Sequence, residues 1–138
     1  MKKNLLFIFT ILTVGLGMLL VYQPAADAQE CIIVRIDDGE KSIRVQPETL
    51  NISKGTCVIW VNWSATRKVD IMFEKGKVCE DVVEASMDFK LGEGNCFITK
   101  VMLAKGGTAS LVYEKEGSFD YVAKPDSGEG VKGKIVVK

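Results

Sequence analysis

The chain has 138 residues, with 18 basic and 18 acidic side chains and therefore no formal net charge at pH 7. It contains four cysteines and no histidine. The lack of histidine excludes nucleophilic catalysis of the Ser-His-Asp or Cys-His kind, so we do not expect an enzyme or any catalytic residue. No cluster of Lys and Arg provides the basic surface that nucleic-acid binding requires.

The first 28 residues have the pattern of a secretory signal peptide. Lys2 and Lys3 precede an uncharged, mostly apolar run from Leu5 to Tyr22, and Ala26-Asp27-Ala28 fits the small-residue rule of signal peptidase. We predict cleavage after Ala28, leaving a single domain over residues 29–138 in the periplasm or outside the cell. In the alternative, the apolar run stays uncleaved and anchors the chain in a membrane, for which it has the minimum length.

The four cysteines are Cys31, Cys57, Cys79 and Cys96. An even number of cysteines in an exported domain favours two disulfides. No two of them have the short spacing of a zinc site. Three pairings are open from the count alone.

Short strand-like segments separated by turn residues recur along residues 31–138, and almost none of this stretch has the period of a helix. This pattern is typical of an all-β sandwich or barrel. The predicted strands are Cys31–Ile36, Ser42–Val45, Thr49–Ser53, Thr56–Asn62, Val69–Phe73, Thr108–Tyr113, Ser118–Val122 and Lys134–Val137.

Lys75–Gly94 interrupts this pattern and is predicted to be an insertion. Glu80–Ala85 fits one or two helical turns within it. Cys79 and Cys96 bracket the insertion, and a bridge between them would close a loop of about 18 residues and contribute roughly 3 kcal/mol. We therefore predict this pairing.

Four segments, in order and at nearly the expected spacing, resemble the cupredoxins, the superfamily of plastocyanin and azurin. The resemblance implies a Greek-key β-sandwich with one disulfide-bracketed insertion of loop and short helix. It also implies a disulfide between the first and third strands, where Cys31 and Cys57 stand. The segments are Gln46–Asn62, Leu103–Leu111, Gly117–Tyr121 and Gly128–Val137.

The resemblance also indicates where the copper ligands of the family would fall. Its first His aligns with Lys68 or Val69, its Cys with Val122 or Ala123, its second His with Asp126 and its Met with Val131. A blue-copper centre needs two imidazoles and a thiolate, which none of these side chains supplies. We expect no type 1 copper, no other metal site and no cofactor.

In copper-bearing relatives, the end of the sandwich that carries the ligand loops docks redox partners. We therefore predict an exported binding or structural module that docks a protein partner there. The predicted contact residues are Trp63, Arg67, Lys68, Val69, Asp126 and Val131. For Trp63 two roles are open: it anchors a partner, or it fills the vacant metal pocket.

The alternative function is the handling of Cu(I) or another soft metal. Met72, Met87 and Met102 would supply thioethers and a free Cys would supply a thiolate. Methionines more often fill gaps in a core.

Overall fold

The computed structural model describes residues 30–73, 87–92 and 96–138. These residues form ten strands. The strands are β1 (Cys31–Asp38), β2 (Ile43–Gln46), β3 (Thr49–Ile52), β4 (Cys57–Asn62), β5 (Val69–Phe73), β6 (Phe89–Leu91), β7 (Phe97–Thr99), β8 (Thr108–Val112), β9 (Gly117–Pro125) and β10 (Val131–Val137).

The strands form two sheets. One has four strands in the order β2-β1-β4-β8, and the other has six in the order β3-β10-β9-β5-β7-β6. β1 pairs with β4 in parallel, and so does β10 with β3, whereas the other pairs are antiparallel. The predicted all-β cupredoxin-like sandwich is confirmed.

Alternation along the strands separates the core from the outer faces. In β4, Val58 and Trp60 are fully buried between the sheets, whereas Ile59 belongs to the outer face. Trp60 makes edge contacts with three rings, at centroid distances of 5.9 Å to Phe73, 5.9 Å to Phe89 and 5.5 Å to Tyr121. Such aromatic pairs add packing energy beyond the area that they bury.

Two predicted strands end at least two residues later than the sequence indicated. Asp37 and Asp38 follow the predicted strand Cys31–Ile36, but they lie in β1 and pair with Arg44 and Ile43 of β2. β9 continues to Pro125, because its last residues pair with β5 as far as Val69. Pairing with a neighbouring strand therefore decides where these two strands end.

The predicted insertion is only partly described. Its last described residues include β6, which pairs with β7 at the edge of the six-stranded sheet, so this part is strand rather than loop. The signal segment, the predicted helical turns at Glu80–Ala85 and Cys79 lie outside the described residues. In the part of the chain that is described, no helix is long and apolar enough to cross a membrane.

Candidate functional site at the loop end

Four connections meet at one end of the sandwich, which we call the loop end. They are residues 39–42, 63–68, 100–107 and 126–130. β1 and β4 both finish here because they are parallel, and β5 and β10 both begin here. The positions aligned with the copper ligands all belong to this end.

Two of those positions face each other across β9 and β10. Ala123 is fully buried and pairs with Val131. Val122, the other candidate for the Cys position, lies on the opposite face of β9 and is only half-buried. Of the two candidates for the Cys position, only Ala123 faces the interior, and neither side chain has a donor atom.

Lys68 and Asp126, at two further aligned positions, are joined by two hydrogen bonds. The Asp126 N–H donates to the Lys68 carbonyl oxygen at 2.9 Å, and the Lys68 N–H donates to the Asp126 carboxylate at 3.3 Å. Both side chains are exposed. The structure thus brings Lys68 and Asp126 together, and it links loop 63–68 to loop 126–130.

Val69 does not offer a contact surface, which corrects its assignment as a partner-binding residue. It is fully buried, and its N–H and carbonyl form hydrogen bonds of 3.0 and 2.7 Å with Leu103. As the first residue of β5 it points into the sandwich. Val131 and Arg67 are half-buried.

A buried asparagine organises the loops from below. The side-chain amide of Asn62 donates to the carbonyl of Arg67 at 2.8 Å and to that of Leu103 at 2.7 Å. Its side-chain oxygen accepts from the Ser64 N–H at 2.9 Å. Asn62 has no exposed surface, so these bonds satisfy polar groups that water cannot reach.

Asp38, at the end of β1, holds the same loop from outside. Its carboxylate accepts hydrogen bonds from the Ser64 hydroxyl, from the Ala65 N–H at 3.0 Å and from the Thr66 hydroxyl at 3.3 Å. The bond from Ser64 is the largest cause that lowers the pKa of Asp38, followed by the bond from Ala65. A carboxylate that accepts several hydrogen bonds is stabilised in its charged form.

Trp63 is the first residue of loop 63–68, but its side chain lies over the four-stranded sheet rather than at the positions aligned with the copper ligands. Its side chain is 49% exposed and lines a groove with Ile33, Arg35 and Val61 on the outer face of the four-stranded sheet. We call this the Trp63 groove. The alternative that Trp63 fills the vacant metal pocket is therefore wrong. Buried Val69 and Ala123 occupy the interior side of the strands there.

The cysteines divide into two groups. Cys31 and Cys57 are free thiols that face each other in register across β1 and β4. Cys96 is disulfide-bonded. Cys31 and Cys57 do not form the predicted disulfide in the structure. They are neighbours in register, which is the arrangement that this disulfide requires. The pairing of Cys79 with Cys96 stays a prediction.

The alternative soft-metal site is not assembled by the described residues. Met72 belongs to the six-stranded sheet, whereas the thiols of Cys31 and Cys57 belong to the other sheet. Met87 is 87% exposed. Among the described residues, no group of three or more His, Cys, Asp or Glu side chains could hold a metal ion.

Comparison with known proteins agrees with this architecture. Residues 32–138 match the family model of copper binding proteins, plastocyanin/azurin family. The chain belongs to the plastocyanin/azurin family.

Solved structures with the same fold include amicyanins. Amicyanin from Paracoccus versutus is 22% identical, with a TM-score of 0.52 over 84% of this chain and 86% of that one. A reduced tryptophan-to-tyrosine variant of amicyanin is 22% identical, with a TM-score of 0.52 over 82% and 87%. At this identity the likeness supports the fold alone.

The residues at the loop end do not fit the copper that the name of the family implies. Type 1 copper requires two imidazoles and a thiolate, and the chain has no histidine. The four aligned positions carry the amine of Lys68 or the isopropyl group of Val69, the alkyl group of Val122 or Ala123, the carboxylate of Asp126 and the isopropyl group of Val131.

Sequence reasoning did not find Asn62 or Asp38. Both residues end strands, and an Asn or Asp followed by Ser and Thr is the usual signal for side chains that bond to nearby backbone. That signal was available at Asn62-Trp63-Ser64. Asp38, in contrast, bonds to Ser64, which is 26 residues away in the chain.

Proposed function

We propose that the chain is an exported, copper-free member of its family that acts as a binding or structural module and not as an enzyme. It docks a protein partner in the periplasm or outside the cell, with redox proteins among the candidates. One observation carries the proposal: the positions aligned with the copper ligands are Lys68 or Val69, Val122 or Ala123, Asp126 and Val131, and no choice among these side chains can form a type 1 centre.

The hydrogen bonds at the loop end support a docking role. Loop 63–68 is held by Asn62 from below, by Asp38 at its start and by Asp126 at its end. A loop that is already ordered loses little conformational entropy when it binds. Because hydrogen bonds within the chain hold this loop, a copper ion is not needed to order it.

The contact surface that we propose combines the loop end with the Trp63 groove. Trp63 and Arg35 are of the residue types that most often dominate binding energy at protein interfaces. The Arg35 side chain is 58% exposed and forms an ion pair of 3.1 Å with Asp37. Arg67, Lys68, Asp126 and Val131 would form the adjoining contacts.

Copper binding is the first test. We expect that Cu(II) added to the purified chain produces no intense absorption at about 600 nm, the band of a blue-copper thiolate. The matched control is an amicyanin treated in the same way. A blue product would overturn the copper-free assignment.

Partner binding is the second test. Trp63→Ala should weaken capture of the partner by at least about 2 kcal/mol. The melting temperature should fall by no more than a few degrees, since the side chain is half exposed. The partner would first be isolated by cross-linking to the native chain in an extracytoplasmic extract.

Leu91→Ala is the matched control for that test, because Leu91 is 60% exposed on β6 of the other sheet and belongs neither to the loop end nor to the groove. It should leave capture unchanged. If Trp63→Ala captures the partner as well as the native chain does, the groove is not part of the contact surface. Export is checked separately by N-terminal sequencing of the mature chain, which should begin at Gln29.

A further inference from the structure

Two thiols face each other at the start of two neighbouring strands. Cys31 is the first residue of β1, Cys57 is the first residue of β4, and the parallel register pairs them. Adjacent strands lie about 4.8 Å apart, inside the range of about 4.4–6.8 Å between Cα atoms that a disulfide spans. A bond between the two sulfurs can therefore form and break without moving either strand.

The two thiols differ in access. Cys31 is exposed, whereas Cys57 is buried. Burial, followed by a hydrogen bond shared with Cys31, raises the pKa of the Cys57 thiol to about 12. Because the thiolate is the reactive form, a molecule that approaches this face meets Cys31 first, and Cys57 is placed to attack the Cys31 sulfur afterwards.

The same face continues from the thiols to the Trp63 groove. Side chains alternate along a strand, so Ile33 and Arg35 follow Cys31 on the outer face of β1. Val61 and Trp63 follow Cys57 in the same way. Ile33 is 54% exposed. An extended polypeptide lying in this groove would pass over Ile33, which is two residues from Cys31 along β1.

The sheet does not depend on a bond between the thiols. β1 pairs with β2 over four residue pairs and with β4 over six. Both neighbours stay in place when the thiols are reduced, as they are in the structure. The reduced and the oxidised states are therefore compatible with one fold.

We propose that Cys31 and Cys57 form a site for thiol–disulfide exchange, whose substrate is a disulfide of a polypeptide docked in the Trp63 groove. The proposal goes beyond docking at the loop end and uses the same groove. Docking of the substrate rests on the proposed contact surface, whereas the exchange chemistry depends neither on that surface nor on the absence of copper, so the two can fail separately.

The exchange proceeds in two steps. The Cys31 thiolate attacks one sulfur of the partner disulfide, forms a mixed disulfide and displaces the other partner sulfur as a thiolate. Cys57 then loses its proton to solvent and attacks the Cys31 sulfur, which closes the Cys31–Cys57 bond and releases the second partner thiolate. Two electrons pass from this chain to the partner, which takes up two protons.

Oxidised glutathione is the first probe. The reduced native chain should release two molecules of glutathione and gain the Cys31–Cys57 bond, as mapped by mass spectrometry. Cys57→Ser should instead retain one glutathione on Cys31, because the resolving thiol is missing. Cys31→Ser should react at least about tenfold more slowly, since only the buried thiol remains.

The reverse reaction decides whether the site is reversible. Excess reduced glutathione should reopen the Cys31–Cys57 bond in the folded chain, with an unchanged circular dichroism spectrum. If the bond reopens only after urea has unfolded the chain, it is a structural bridge and the proposal is wrong. This measurement uses the native chain, so it does not depend on how well a variant folds.

The role of the groove is tested with a short cystine peptide flanked by leucines. Trp63→Ala should lower its exchange rate by at least about threefold through lost contact area, while the rate with oxidised glutathione stays within about twofold. Equal effects on both probes would show that the groove does not dock the substrate and would overturn that part of the proposal.

Discussion

At the scale of single residues, the loop end is organised by side chains that bond to backbone. The side-chain amide of Asn62 donates through its nitrogen to two carbonyls and accepts through its oxygen from one N–H. The Asp38 carboxylate accepts three bonds from one loop. Loops 63–68 and 126–130 also bond to each other. Asp126 and Lys68 join them through two hydrogen bonds.

Asn62→Ala should be strongly destabilising. The substitution leaves the Arg67 carbonyl and the Ser64 N–H without the partner that Asn62 supplies, whereas the Leu103 carbonyl keeps its bond from the Val69 N–H. Each group that loses its partner costs about 1–3 kcal/mol. We expect a decrease of roughly 3 kcal/mol in the free energy of unfolding, measured with urea. Asn51→Ala, on an exposed position of β3, is the control and should change stability by less than about 0.5 kcal/mol. Equal stabilities would contradict the role of Asn62.

Asp38→Asn should remove part of the pH dependence of stability. Because the pKa of Asp38 is lowered from its ordinary value of 3.8, its contribution is complete above that value and is lost as the pH falls through the folded pKa. The native chain should therefore be more stable than Asp38→Asn at pH 7, and the difference should shrink below pH 3.8.

The measurement for Asp38 is urea unfolding of both chains over that pH range. Glu40→Gln, in the neighbouring turn, removes a carboxylate without touching these hydrogen bonds and serves as the control. A difference between the native chain and Asp38→Asn that persists unchanged in acid would show that the hydrogen bonds do not act through the charge.

At the scale of elements, the pair β9 and β10 carries both the aromatic core and two copper-ligand positions. Tyr121 and Gly133 are register partners on these strands. Tyr121 is fully buried and in contact with Trp60 and Phe73. A Cβ atom at residue 133 would overlap the Tyr121 ring. Glycine is required at this position because the ring lies across the backbone of the neighbouring strand.

Gly133→Ala should cost about 1–3 kcal/mol, the usual price of overpacking a well-filled core. The measurement is the urea midpoint. In a Tyr121→Leu background, where the ring is absent, the same substitution should cost less, and the coupling between the two sites is read from the double-mutant cycle. Costs that simply add would show that the ring and the glycine are independent.

At the scale of the whole molecule, Cys96, which directly precedes β7, takes part in a disulfide. We predict that its partner is Cys79. Such a bridge closes a loop of about 18 residues, so Cys96→Ser should lower the free energy of unfolding by roughly 3 kcal/mol. Non-reducing peptide mapping that found Cys57 joined to Cys79 would refute both predicted pairings.

Much of the fold could be predicted because its signals are local. Alternating apolar and polar residues identified most strands, and Val69–Phe73 was predicted with the bounds that the structure has. The lack of fitting copper ligands follows from composition, since a chain without histidine offers no imidazole. Strand ends were less accurate, because pairing with a neighbour decides where a strand stops.

The composition and order of residues alone determined the fold class, the family resemblance and the mismatch with type 1 copper, since each depends on local patterns or on counting donor atoms. Only the tertiary structure decided which residues meet. Asn62 bonds to Leu103, 41 positions away, and Ser42 bonds to Glu129, 87 positions away. It also placed Trp63 on the face that carries Cys31 and Cys57. Such contacts depend on the register and packing of distant strands, which no local pattern encodes.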